Sequence, residues 1–290
     1  MENIMSSLSR RQFAFIVGAG LVAYKLTRAQ TAKLTAGEVV DRIKKNIGIP
    51  WITTSYRDTF KIGGPDSMVT GIATSFGGNL RVLQLAQKAG LNMIIVHEPT
   101  FYSDGDRIDL AKDDLLYKLK LEWANNNKLV VWRIHDDWHA HKPDGIVLGW
   151  NHDLGWVRYQ VDGNPKLWNL PPTTLVGLAK SLAKALPSQS IRIIGDPNIR
   201  VVRVAYGGHG LAQNMSALQQ ADCAIISEAR EYDSFEYARD VAFSAEKGAI
   251  FISHEAGEDM GMDEFARWIT PFVPEVRVRW IPTTDEFWTV

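Results

Sequence analysis

The chain has 290 residues, 46% hydrophobic and 22% charged, a composition that excludes global disorder and supplies apolar material for one large or two modest domains. Its 32 basic residues nearly balance 33 acidic ones, so it lacks the basic surplus that binding to a phosphate backbone draws on, and no nucleic-acid partner is expected. With Cys223 as its single cysteine it can form neither an internal disulfide nor a thiolate cage, so a metal site has to be built from His, Asp and Glu.

Residues 1–29 read as an address label. Ser9-Arg10-Arg11-Gln12-Phe13 carries paired arginines, followed by a mildly apolar run from Phe13 to Tyr24, then Lys25 and small residues ending at Ala29. This resembles a twin-arginine export signal, although Ala14 and Phe15 stand where leucine and lysine are usual. The apolar run is roughly a dozen residues, short of the ~20 needed to span a bilayer. Cleavage near Ala29 is expected, giving a periplasmic or extracellular protein with no stable membrane association. Removal of Arg10, Arg11, Lys25, Arg28 and Glu2 would take the net charge from −1 to −4.

From Lys33 onward, apolar runs of strand length alternate with stretches of helical period, which predicts an α/β fold of two similar lobes with parallel or mixed sheets. Thr35 is expected to cap a helix reaching about Lys45. Met68 to Ser75 reads as a strand, Gly77-Gly78-Asn79 as a turn, Leu80 to Ala89 as a helix and Leu91 to Val96 as a second strand. A helix at Leu110 to Asn125 and a strand at Lys128 to Ile134 follow, then a polar, Trp-rich stretch and a helix from about Thr174 to Leu186. The second lobe repeats the plan: strand Val201 to Tyr206, turn Gly207 to Gly210, helix Leu211 to Gln220, strand Cys223 to Ser227, helix Ser234 to Glu246 and strand Ala249 to Ser253. The resulting division is lobe one at about 34–150, a connecting region at about 151–190 and lobe two at about 191–290.

In open α/β sheets ligands collect beyond the carboxyl ends of the strands, where loops converge on rigid stems. Three strands here run into His and carboxylate residues: His97-Glu98-Pro99, His135-Asp136-Asp137-Trp138-His139-Ala140-His141, and His254-Glu255-Ala256-Gly257-Glu258. Spacing of four puts His135 with His139, and His254 with Glu258, on one face of a helix. Five of the seven histidines lie in these segments. His254-x3-Glu258 places a carboxylate where the zinc-protease signature has its second histidine, which disfavours a metalloprotease.

Met68 to Ser75, Ile95 to Tyr102, His135-x3-His139, Ile191 to Pro197 and Phe251 to Glu258 together resemble the NIF-three-like family, often described as type 2 GTP cyclohydrolase 1, over roughly residues 34 to 288. The resemblance implies two lobes around a central cleft with a dinuclear metal centre, commonly in a toroidal homohexamer. The family ends its strands in H-H-P, H-T-N-L-D and G-H-x-x-x-E. This chain has Glu98 at the second histidine of the first motif and His139 at the aspartate of the second. The two exchanges are opposite in sense, so His97, Glu98, His139, His254 and Glu258 keep three imidazoles and two carboxylates as metal ligands. Such a set suits two divalent ions of Zn, Mn or Fe. His135, at the family's non-ligand histidine, is the candidate for proton transfer; a loop histidine bonded to Asp136 is the alternative.

The implied function is an exported dinuclear metal-dependent hydrolase acting on a small, heterocyclic or nucleotide-like substrate through a metal-activated water. A second reading is a metal-binding oligomeric assembly protein without turnover. A third takes His139-x-His141 and Asp144 as an amidohydrolase-like cluster, but its spacing is wrong and it leaves His254 and Glu258 idle. Gly207 to Gly210 reads as a tight turn rather than an anion loop, Glu228 as either a cleft residue or a cap, and Trp132, Trp138, Trp150, Trp156 and Trp168 as packing before stacking.

Overall fold

The computed structural model describes residues 34–106, 109, 112–186 and 190–283. The arginine pair and the rest of the expected export signal lie outside the described residues.

The first helix, α1 (Ala36–Asn46), begins where the sequence places it. Thr35 Oγ1 accepts the Glu38 amide and Glu38 returns its carboxylate to the Thr35 amide, so two otherwise unpaired N–H groups are satisfied. Next come β1 (Phe60–Ile62), β2 (Ile72–Ser75), α2 (Leu80–Lys88), β3 (Met93–Val96), α3 (Leu115–Asn126) and β4 (Val130–Arg133). Two helices, α4 (Asp136–Ala140) and α5 (Gly145–Asp153), lead to the hairpin of β5 (Gln160–Val161) and β6 (Asn164–Thr174). The remainder is α6 (Leu175–Ala185), β7 (Arg192–Ile194), β8 (Arg200–Gly208), α7 (Leu211–Gln220), β9 (Cys223–Ser227), α8 (Glu236–Ala245), β10 (Gly248–Ile252), α9 (His254–Ile269) and β11 (Val278–Trp280).

These strands make two mixed sheets, ordered β1-β4-β3-β2-β11 and β5-β6-β8-β9-β10-β7. Within the first, β4, β3, β2 and β11 are parallel; within the second, β8, β9 and β10 are. The central strands are buried on both faces, which is why they read as unbroken apolar runs and not as alternation. Met93 and Ile95 face one cluster while Ile94 and Val96 face another, and Ile250 and Ile252 are likewise opposed to Ala249 and Phe251.

One core joins the two sheets. Ile72, Ile95 and Trp132 of the first meet Val204, Ile225 and Ile250 of the second in a single cluster with α5, α6 and α9. Trp132, Trp138, Trp150 and Trp168 are fully buried here. Each buries on the order of 150–250 Å², roughly 4–6 kcal/mol of transfer free energy before the entropy of ordering.

The segment 160–174, placed by sequence between the lobes, supplies two strands of the second sheet, and the last strand returns to the first. Short length hides β7 and β11, three residues each. In β6, Pro171 and Pro172 offer no N–H, and its register against β8 shifts between Asn169 and Thr173. The helix expected from Leu110 starts at Leu115, where Asp114 accepts the Tyr117 amide as its cap. The strand expected to stop at Tyr206 runs to Gly208, absorbing half of the predicted turn.

α9 is the helix that carries the last ligand candidates, and glycines let it sit deep. A Cβ on Gly149 of α5 would lie 2.3 Å from the Met260 carbonyl oxygen, and one on Gly261 would lie 2.3 Å from Ile146 Cδ1. Trp150 Nε1 donates to Gly257 O at 2.6 Å and Trp138 Nε1 to Gly261 O at 3.1 Å, fixing the helix in depth and rotation.

Candidate metal centre

The carboxyl ends of parallel strands from both sheets converge on one cleft of about 600 Å³. β3 delivers His97 and Glu98, and β4 delivers His135, followed by His139 on α4. From the second sheet, β8 delivers His209, β9 delivers Glu228 and β10 delivers His254, with Glu258 one turn further along α9.

Four imidazoles share one arrangement, in which Nδ1–H donates to an oxygen and Nε2 faces inward. His97 Nδ1 donates to the Ile134 carbonyl at 3.0 Å, His135 Nδ1 to Asp136 Oδ1 at 2.9 Å, His139 Nδ1 to Asp144 Oδ2 at 3.2 Å and His254 Nδ1 to Glu228 Oε2 at 2.5 Å. An oxygen partner on Nδ1 leaves Nε2 as the nitrogen that carries the second proton or, in its place, a metal, the habit of metal-ligating histidines. Nε2 of His97 then stands 3.2 Å from Nε2 of His139. With neither nitrogen protonated the two lone pairs would repel, and either a proton or a metal cation between them relieves this.

Glu258 Oε2 lies between the halves of the cluster, 3.3 Å from His97 Nε2 and 3.0 Å from His254 Nε2. It is close to both yet aligned for a hydrogen bond with neither, and His254 Nε2 is likewise buried without a hydrogen-bond partner. A carboxylate oxygen in a residue 3% exposed, with no aligned hydrogen-bond donor, is costly unless positive charge faces it. These orphaned atoms fit the demands of a cation, and three groups could hold one: His97 with His135 and His139; His97 with Glu98 and Glu258; and His209 with His254 and Glu258.

The surrounding charges are tuned by the same contacts. Burial alone would raise the Glu258 carboxyl, but His254 and His97 hold it well below its ordinary value. For His254, burial is outweighed by Glu228 and Glu258, which lift the imidazole to about 10. His97, wholly buried, is pushed down by desolvation. His139 is raised, burial yielding to Asp144.

Arg133, at the end of β4 and buried, is a strut that sequence reading missed. Its Nε donates to the His97 carbonyl at 2.8 Å and its Nη2 to Glu98 Oε2 at 2.9 Å. That leaves Glu98 Oε1 facing His135 Nε2 at 3.3 Å and His254 Nε2 at 3.9 Å. The signal was present, an arginine closing an otherwise apolar strand, but nothing local said it would turn inward.

The structure therefore brings His97, Glu98, His135, His139, His254 and Glu258 to one place. It adds His209, hidden in what read as a glycine turn: its ring is 4.8 Å from that of His254, and burial lowers it. His141 stands apart, half-buried against the rings of Trp138 and Trp268 and bonded to the Pro143 carbonyl at 2.7 Å. Asp144 serves His139 instead of joining a separate cluster. Glu228 does face the cleft, from a left-handed backbone conformation (φ 47°) that a non-glycine residue adopts at a cost.

Residues 34–286 match the family model for Duf34/NIF3 (NGG1p interacting factor 3). The chain belongs to this family. Several solved structures share its fold. A Staphylococcus aureus hypothetical protein, SA1388, superimposes with a TM-score of 0.71 at 17% identity, covering 89% of this chain and 100% of the other. A Bacillus cereus protein related to NIF3 gives 0.69 at 13%, covering 89% and 99%. HcgD from Methanocaldococcus jannaschii, solved in reduced form, gives 0.58 at 13%, covering 86% and 98%. At these identities the likeness speaks for the mixed α/β fold alone. No curated protein matches the chain by sequence.

Proposed function

We propose that this NIF3-family chain is a dinuclear metal-dependent hydrolase of a small molecule, exported by the twin-arginine route. The observation that carries the reading is the convergence of Nε2 atoms, each fixed by an oxygen on Nδ1, around the unpartnered Glu258 oxygen.

His97 and His139 would hold one cation, His254 and Glu98 the other, with Glu258 shared because the same oxygen neighbours an imidazole of each half. His209 stands ready as a further donor to the second. When bound, divalent Zn, Mn or Fe supplies Lewis acidity and makes water acidic enough to ionise near neutral pH. The chain's own residues do the rest. Asp144 and Glu228 orient the imidazoles of His139 and His254, and Arg133 fixes which oxygen Glu98 turns inward. His135, on the cleft wall with Asp136 behind it, is placed to exchange a proton with substrate. Export is supported by residues 9–13 alone. Assembly into a homo-oligomer, a hexamer by family resemblance, is part of the same proposal.

Elemental analysis of the purified protein beside Glu98→Ala and Glu258→Ala tests the centre. About two equivalents in the parent, falling in both variants, are expected; unchanged metal in Glu98→Ala would remove that residue from the ligand set. Metal-dependent release of product from a panel of esters, phosphodiesters and cyclic amides tests the chemistry. Full loading with no turnover across the panel would favour a metal-holding assembly protein.

A further inference from the structure

The cleft contains a buried cation for which the metal centre has no use. Lys120 projects from α3 into the cleft wall, is 1% exposed, and has no carboxylate within 4 Å among the described residues. Asp106, the nearest acidic group to act on it, already faces Lys61 at 3.3 Å and Arg133 at 3.8 Å. The other charges of the wall are matched: Arg57 with Asp104 and Asp136, Glu98 with Arg133, Glu228 with His254. Lys120 donates only to the Thr100 carbonyl, with the rings of Phe101 and Tyr102 at 5.3 and 5.1 Å from its nitrogen.

Two further features lie beside it. Thr100 Oγ1 is buried without a hydrogen-bond partner, in a residue that is itself 1% exposed and lines the cleft. Gly77 and Asn79, just ahead of the nine-residue α2, line it too, with Asn79 Oδ1 capping that helix by accepting the Val82 amide at 2.9 Å. A Cβ on Gly78 would meet Thr100 Oγ1 at 2.7 Å, so only glycine lets the turn come this near.

We propose that Lys120 and the Thr100 hydroxyl form an oxyanion subsite that holds a phosphate or carboxylate group of the substrate beside the metal centre. An ammonium kept from solvent and unpaired by any carboxylate gains most from a partner that brings its own negative charge. Burial also lowers the lysine to about 8, and an arriving anion would restore its charge. That the anion belongs to a substrate rests on the hydrolase reading; the subsite does not, and binding alone tests it.

The probe is inorganic phosphate, with succinate as the carboxylate arm, added to the full chain with and without bound metal. Lys120, 1% exposed, reacts through local opening, so its acetylation is followed over hours by peptide mass spectrometry against the exposed Lys184 as internal reference. Saturating anion is expected to slow modification of Lys120 at least fivefold and leave Lys184 unchanged. The arm that protects at lower concentration names the anion. Lys120→Met, which keeps the buried stem, is expected to weaken anion binding about tenfold by calorimetry with metal equivalents unchanged. Glu258→Gln is expected to lose metal while Lys120 remains protected. Absence of protection in both arms, or parental affinity in Lys120→Met, would overturn the subsite while leaving the metal centre standing; protection in a protein that binds no metal would do the reverse.

Discussion

Glu258→Gln is the most informative single change, because it keeps shape and removes one charge from an oxygen within 3.3 Å of imidazoles in both halves of the cluster. A ligand present at 100 times its dissociation constant stabilises the folded state by about 2.7 kcal/mol. Two such cations give about 5 kcal/mol, which for a chain of this size raises the melting temperature by roughly 10 °C or more. Both depend on Glu258, so the variant should lose most of that rise and bind fewer than one equivalent. The assay is differential scanning fluorimetry of each protein with metal and with chelator; comparing the shift within each protein cancels the variant's own effect on metal-free stability. His141→Ala, which removes a histidine packed on Trp138 and Trp268 and aside from the cluster, should keep the full rise. If Glu258→Gln retains two equivalents and the parental rise, the shared-carboxylate geometry is wrong.

The remaining predictions concern the support of the centre. In metal-free protein His254 is raised from 6.5 to about 10, so its stabilising contribution is complete below pH 6.5 and is lost as pH climbs toward 10. Denaturant midpoints should therefore fall across pH 7 to 10 with chelator, and Glu228→Gln should flatten that slope. Glu228→Gln and Asp144→Asn, which loosen the partners of His254 and His139, should each weaken metal affinity about 10- to 100-fold in competition titrations while the fold persists. Gly149→Ala drives a methyl into the Met260 carbonyl and should cost about 1–3 kcal/mol, seen as a lower melting temperature together with reduced loading, because it displaces the helix that bears Glu258. Replacing Arg10 and Arg11 together by lysine should retain the protein in the cytoplasm on cell fractionation; unimpaired export would remove the twin-arginine assignment.

Much of this was legible in the residues. α7 and β9 have the bounds that pattern predicts, because their apolar spacing and flanking residues agree, and the capping box at Thr35 and Glu38 starts α1 on cue. His97, Glu98, His135, His139, His254 and Glu258 were legible as candidates because each follows a buried strand closely, where polarity has no packing purpose. What escaped was non-local. β1, β7 and β11 are three residues long and exist only through their partners. His209 sat among glycines whose turn reading was reasonable, and the strand simply ran two residues further. Arg133 and Lys120 carried no local signal of burial, because burial of a cation depends on what the rest of the fold brings to it.

The return of β11 to the edge of the first sheet has a consequence for biosynthesis. Val278 to Trp280 hydrogen-bond alongside Ile72 to Thr74, so a strand made early waits for one made some two hundred residues later. Trp280 Nε1 and the Thr283 amide then bond to Asp259, the neighbour of Glu258. A nascent chain still held by the ribosome short of these residues cannot close its first layer or lock the helix beneath the cluster. Closure of the first sheet and locking of the helix that bears Glu258 should accordingly be late steps, after the pairing of β2 with β3 and of β3 with β4, which needs nothing beyond Arg133.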